Sequence, residues 1–254
     1  MSVSKLALQK VTKSFGSKQV LNGVDLDVAP GRSLVVIGGS GVGKSVTLKC
    51  ALGLMRPDSG RVLVDGIDVA SVHGKDLAAI RAKFGMLFQG GALFDSLTIW
   101  ENVAFRLLYA DGVSRKDARE RAIATMRKVR LAPETADLRP VELSGGMQKR
   151  AGLARAIIAK PDILFFDEPT TGLDPITADA INDLIVEMVK DLGCAAVSIT
   201  HDMASARKIA DEIAMIHDGA IVWRGPASEV DRSGSPMVDQ FINGRADGPI
   251  QAII

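Results

Sequence analysis

The chain has 254 residues, 47% of them hydrophobic, which suits one domain or a core with an inserted subdomain. Lys and Arg number 31 against 30 Asp and Glu, a net charge of +1 that argues against a strongly basic nucleic-acid binder. No apolar run approaches the roughly 18–20 residues a membrane span needs, and no signal-peptide core follows Met1-Ser2-Val3-Ser4-Lys5.

Lys5–Val11 and Val20–Val28 alternate polar and apolar residues and predict two strands, the second ending at the turn Ala29-Pro30-Gly31. Leu34-Val35-Val36-Ile37 is a short apolar run of buried parallel-strand type. Next comes Gly38-Gly39-Ser40-Gly41-Val42-Gly43-Lys44-Ser45, leading into the helical segment from Val46 to Leu52. This is the G-x-x-x-x-G-K-[ST] pattern between strand and helix. Its glycines let the backbone curl so that N–H groups face phosphate oxygens, and the helix start adds partial positive charge. Lys44 is expected to reach the outer phosphates and the Ser45 hydroxyl to sit on Mg²⁺, so the chain is expected to bind a nucleoside triphosphate.

Arg61–Gly66 reads as a hairpin strand after the turn Pro57-Asp58-Ser59-Gly60. Residues 93–157 read as helical. Ser114-Arg115-Lys116-Asp117 is a helix start of the [ST]-x-x-[DE] kind, and Ala118, Ala122, Met126 and Val129 share one face. The charges of that segment are read as a solvated face rather than a nucleic-acid contact. Ile163–Phe166 predicts a buried strand ending at Asp167-Glu168, then Ile176–Leu192 a helix and Ala195–Thr200 another strand, closed by His201-Asp202. Two short strands flank the turn His217-Asp218-Gly219. Cys50 and Cys194, far apart in apolar contexts, read as buried free thiols of a reducing compartment.

A phosphate loop needs a Mg²⁺ carboxylate at the end of a neighbouring strand, which Asp167 supplies; Glu168 is placed to act as general base on the attacking water. Leu143-Ser144-Gly145-Gly146-Met147, followed by Gln148-Lys149-Arg150, predicts a second anion-binding helix start with no strand before it. One chain cannot easily aim both anion sites at one γ-phosphate, whereas two chains head to tail can.

With these residues, in this order from about Lys5 to about Ser228, the chain resembles the ATP-binding cassette (ABC) ATPase family. The resemblance implies an α/β P-loop NTPase (RecA-like) core with a small antiparallel β-subdomain and an inserted helical subdomain. It implies a cassette over residues 1–234, its core 1–92 and 158–234 around a helical subdomain 93–157, and a C-terminal tail 235–254. It also assigns roles. Phe15 would stack on adenine, although a lone Phe is more often core. Gln89 would touch Mg²⁺ and water, Thr171-Gly172-Leu173-Asp174 would cross between subunits, and His201 would reach the γ-phosphate. His73 and His217 are read as surface or turn residues. The chain departs from the commonest signature in carrying Met147 where a glutamine usually follows the two glycines.

The stretch Phe88–Thr98 with Glu101-Asn102-Val103-Ala104, and the tail from Gln240 to Ile250, are similar to the ATPase subunits of the Mla (maintenance of lipid asymmetry) type. That similarity implies a homodimer on the cytoplasmic side of the inner membrane, powering phospholipid transport. Its partners would be a multi-span permease, a substrate-binding protein of the mammalian-cell-entry type and a STAS-domain subunit. An ABC ATPase for another cargo, or one outside transport, is the alternative; a DNA-repair ATPase would need a long coiled coil, and a ribosome-acting one two cassettes. The apolar stretch Gln89–Val103 is expected to meet a partner's helix. The tail, after a flexible Ser-Gly-Ser-Pro link, is expected to pack on its own core or on a neighbouring subunit through Val238, Phe241, Ile242, Ile250, Ile253 and Ile254.

Overall fold

In this computed structural model, which describes residues 4–251, the first elements are two long antiparallel strands, β1 (Leu6–Phe15) and β2 (Lys18–Val28). Leu6, Leu8 and Val11 of β1 and Leu21, Val24, Leu26 and Val28 of β2 are buried. The alternation slips where Lys10, at φ 51°, bulges the ladder. There follow β3 (Ser33–Ile37), α1 (Lys44–Ala51), β4 (Ser59–Val64), β5 (Ile67–Asp68), α2 (Gly74–Ala82) and β6 (Phe84–Leu87). The helical stretch comprises α3 (Ile99–Val103), α4 (Phe105–Tyr109), α5 (Arg115–Lys128) and α6 (Gly145–Ile157). The chain continues with β7 (Ile163–Asp167), α7 (Pro175–Leu192), β8 (Ala195–Thr200), α8 (Met203–Ile209), β9 (Glu212–His217), β10 (Ala220–Pro226) and α9 (Pro236–Ile242).

The contacts divide the chain into two units, residues 1–81 with 195–254 and residues 82–194. In the first unit, β2-β1-β4-β5 form an antiparallel sheet, and β10-β9-β3-β8 are neighbours in a second sheet. β3 lies parallel to both β8 and β9, with Leu34 opposite Val197 and Glu212. All five residues of β3 are buried, as a strand flanked on both sides by parallel neighbours requires. The Ser-Gly-Ser-Pro stretch is not a loose link. Ser235 caps α9 by accepting from Val238 N, and Val238 is fully buried. Gln240, 6% exposed, then folds the chain back on itself. Its Nε2 donates to the carbonyls of Arg245, Ala246 and Ile250, and its Oε1 accepts from Ile250 N at 2.7 Å. Ile253 and Ile254 lie outside the described residues.

In the second unit β6 and β7 are parallel, with Met86 opposite Phe165 and Leu87 opposite Phe166. Ser144 begins α6, and Ser114 begins α5 by accepting from Asp117 N. Ala118, Ala122, Met126 and Val129, the face expected from the spacing, are all fully buried. Asp174 caps α7 through Ile176 N and Thr177 N, with Pro175 at the first helical position. Trp100 is buried under the Arg115 guanidinium, 5.0 Å from its ring, while Phe94 stays 44% exposed. No helix among the described residues is long and apolar enough to cross a membrane.

Candidate active site

In the first unit the phosphate loop joins β3 to α1. Gly38 has φ 154° and packs so tightly on β9 that a Cβ would lie 2.4 Å from Ile216 O. Gly43, the residue before α1, has φ 111°, and a Cβ there would meet Leu21 at 2.8 Å. These positions need glycine both for backbone angle and for space. Lys44, 9% exposed, arches back over the loop and donates to Gly38 O at 2.8 Å and Gly39 O at 2.7 Å. Thr47 Oγ1 donates to Gly43 O at 3.0 Å and ties down the first turn. Ser40, Gly41 and Ser45 remain exposed, and Val46 is half-buried.

Beside the loop lies a cleft of about 540 Å³, walled by Gly39, Ser40 and Val42 on one side and by Pro249, Ile250 and Gln251 on another. Neither Phe15 nor His201 lines it. Phe15 ends β1 and is 48% exposed, which excludes a core role; Lys13 Nζ stands 5.8 Å from its ring. His201 is exposed after β8, and Asp202 caps α8 through Ala204 N and Ser205 N. His73 is exposed, and His217 ends β9 with Nε2 3.5 Å from Asp218.

The second unit holds the other expected residues. Asp167 ends β7 after four buried residues, and Glu168 follows at φ 47° with 9% exposure. Thr171 Oγ1 donates to Glu168 Oε2 at 3.1 Å. Gln89 is exposed just after β6. Ser144 and Gly145 are exposed at the start of α6, and Ser144 Oγ accepts from Met147 N at 3.3 Å. Gly146 faces α7 so closely that a Cβ would lie 2.7 Å from Thr177 Cγ2.

Three residues of α6 had no role in the sequence reading. Gln148 Nε2 donates to Pro140 O at 3.0 Å and Leu143 O at 3.3 Å, pinning the segment that leads into Ser144. Arg155 donates to Gly91 O and Ala92 O, both at 2.7 Å. Lys149, 5% exposed, donates to Gln89 O and, at 3.3 Å, to Glu168 O. Gln89 and Glu168 therefore meet at one ammonium. Burial lowers the Lys149 pKa from its ordinary value, while the Asp167 and Glu168 charges act to raise it. The available signal was spacing: Lys149, Gly152 and Arg155 recur every three residues on one side of the helix. Cys50 and Cys194 are buried and free, and burial pushes each thiol up to about 11.

Residues 21–171 match the ABC transporter family. The chain is 40% identical over 247 residues to the probable ribonucleotide transport ATP-binding protein mkl of Mycobacterium leprae, covering 96% of this chain and 70% of that protein. It is 36% identical over 250 residues to the intermembrane phospholipid transport system ATP-binding protein MlaF of Escherichia coli K12, covering 98% and 93%. Among solved structures it is similar to the dimeric post-hydrolysis state of the ATP-binding cassette MJ0796 bound to ADP and Pi. That similarity has a TM-score of 0.80 and 32% identity, over 87% of this chain and 98% of that one.

Proposed function

Because the chain belongs to the ABC transporter family, as an ATP-binding and ATP-hydrolysing subunit, we propose that it powers phospholipid transport across a bacterial envelope. The match to MlaF carries the cargo, and the phosphate loop carries the ATP-binding part: two glycine positions closed to any side chain, and Lys44 folded over the loop carbonyls. The backbone N–H groups of Gly38–Val46 and the Lys44 ammonium bind the phosphates of ATP, and Phe15 offers its exposed face to adenine. Glu168 takes a proton from the attacking water, and His201 hydrogen-bonds the γ-phosphate.

Ser45, Gln89 and Asp167 fit Mg²⁺, since all three offer oxygen donors and Mg²⁺ prefers few carboxylates alongside substrate phosphates. When bound, the ion neutralises charge on the phosphates.

Two copies act head to tail, each lending its Ser144-Gly145-Gly146 turn to the ATP of the other. Support comes from the exposed Ser144 turn and from the dimeric MJ0796 cassette. The chain sits peripherally on the cytoplasmic side of the inner membrane; its membrane partner is a multi-span permease, with a mammalian-cell-entry-type protein and a STAS-domain subunit completing the assembly. Phe88, Phe94 and Tyr109, all exposed, suit the permease's helix. Phe94 stacks on Phe105 at 4.6 Å, and Tyr109 packs tilted against Phe105 at 4.7 Å, so the patch is preorganised.

The nearly full-length match to MlaF favours phospholipid as the cargo, and the name of the mkl relative raises a ribonucleotide as the second reading. Affinity capture from membranes of the encoding organism, with mass spectrometry of proteins and small molecules, separates them. A permease with co-isolated phospholipid supports the first reading; a permease with bound ribonucleotide and no lipid replaces it with the second.

A further inference from the structure

Helix α6 is fastened to two other segments by a single buried ammonium. Lys149 stands five residues after Ser144, and its Nζ donates to the carbonyls of Gln89 and Glu168. The same side of the helix carries a second hold on the segment after β6. A Cβ on Gly152 would lie 3.4 Å from Gly91 Cα, and beyond it Arg155 grips Gly91 O and Ala92 O. Gly152 also packs on Leu87 of β6, where a Cβ would lie 2.8 Å from its Cδ1. Lys149 in addition bonds the turn after β7.

An ammonium in this setting cannot release its acceptors at little cost, because a buried charge without partners is strongly disfavoured. Releasing either carbonyl from α6 therefore costs free energy. Glu168 gains most from this, since its φ of 47° is unfavourable for a side-chain-bearing residue and needs neighbours to hold it. Lys149 and Thr171 N share that carbonyl, while the Thr171 hydroxyl holds the carboxylate.

We propose that Lys149 is a positioning residue for ATP hydrolysis. Its ammonium ties the main chain of Gln89 and of Glu168 to the helix that begins at Ser144, so the seating of a nucleotide at Ser144 sets the aim of the base. The inference rests on Glu168 being the general base.

The test compares full-length wild type with Lys149→Met, Lys149→Arg and Glu168→Gln, measuring steady-state ATPase, affinity for a fluorescent ATP analogue and melting temperature. Lys149→Met should lower kcat about 10–100-fold, the span of one lost charged hydrogen bond, with KM and nucleotide affinity within about twofold of wild type. Lys149→Arg should recover most of kcat, because it restores charge and donors. A wild-type kcat in Lys149→Met overturns the proposal. So does a Lys149→Arg variant as slow as Lys149→Met, with both losing the same melting temperature, since that pattern marks a packing role. Should Lys149→Met fail to fold, Lys149→Gln replaces it under the same criteria. If Glu168→Gln turns over like wild type, the general-base reading falls. If Glu168→Gln is inactive while Lys149→Met hydrolyses normally, only the Lys149 inference falls.

Discussion

The Thr171 hydroxyl donates to Glu168 Oε2 at 3.1 Å, across a turn that Thr171 N closes on Glu168 O at 3.3 Å. One residue thus fixes both the backbone and the carboxylate of the proposed base. Glu168→Gln keeps the size of the side chain but removes its basicity. Turnover should fall about 10²–10⁴-fold, the usual contribution of a general base, while ATP binding persists and an ATP-bound dimer accumulates. Size-exclusion chromatography with ATP and a phosphate-release assay check both parts. Wild-type turnover would remove Glu168 from the role.

Ser144 is exposed at the start of α6. Ser144→Arg should leave the nucleotide affinity of the monomer nearly unchanged, yet prevent ATP-dependent dimerisation and turnover by placing bulk where a second copy's γ-phosphate must fit. Titration with a fluorescent nucleotide, beside analytical ultracentrifugation, reads the two effects separately. Loss of affinity in the monomer would argue against the head-to-tail arrangement.

Phe15 lies half exposed at the end of β1, where removing it leaves no cavity in the core. If it stacks on adenine, Phe15→Ala should weaken ATP binding about 5–30-fold, corresponding to about 1–2 kcal/mol of base–aromatic stacking, with the melting temperature little changed. Isothermal titration calorimetry decides it, and an unchanged affinity ends the adenine assignment.

The legible parts of this chain were those where local chemistry leaves few choices. The run Leu34–Ile37 could only be a buried strand, and the glycines from Gly38 to Gly43 only a curled loop. Ser114 announced its helix through a side-chain cap. What stayed hidden depended on neighbours remote in sequence. Helix α2 has a single buried residue, Ile80, and so no readable apolar face. Helix α8, at seven residues, is too short for a periodic signal. Lys149 gave no sign of its role, because its acceptors, Gln89 O and Glu168 O, lie 60 and 19 residues away. Gln240 was hidden for a different reason, since a polar residue on a short terminal helix gives no hint that it bonds three carbonyls.

Acid should weaken the first unit through Asp27. Burial pushes its carboxyl up, but hydrogen bonds from Arg224 at 2.6 Å and Ser4 at 2.9 Å, with the Arg224 charge, leave it below its ordinary value. A carboxylate depressed in the folded state contributes stability above about pH 4, and that contribution is lost as pH falls through the folded value. Arg224 also binds Glu212 at 2.6 Å. Arg224→Ala should therefore lower stability most at pH 7, by an amount kept small because the pair is partly exposed and screened by salt, and should move the acid-unfolding midpoint slightly to higher pH. Circular dichroism across an acid titration, at low and high salt, measures the shift; an unchanged midpoint would refute the role.

The loop that Gln240 closes places Gln251, itself exposed, on the wall of the cleft that the phosphate loop also lines. That arrangement supplies a vantage point for spectroscopy. The native thiols are buried, with pKa values of about 11, so neither competes well for a thiol-reactive dye near neutral pH. A fluorophore attached through Gln251→Cys would thus sit beside the loop and report nucleotide arrival in real time, with every phosphate-binding group of the protein left as nature made it.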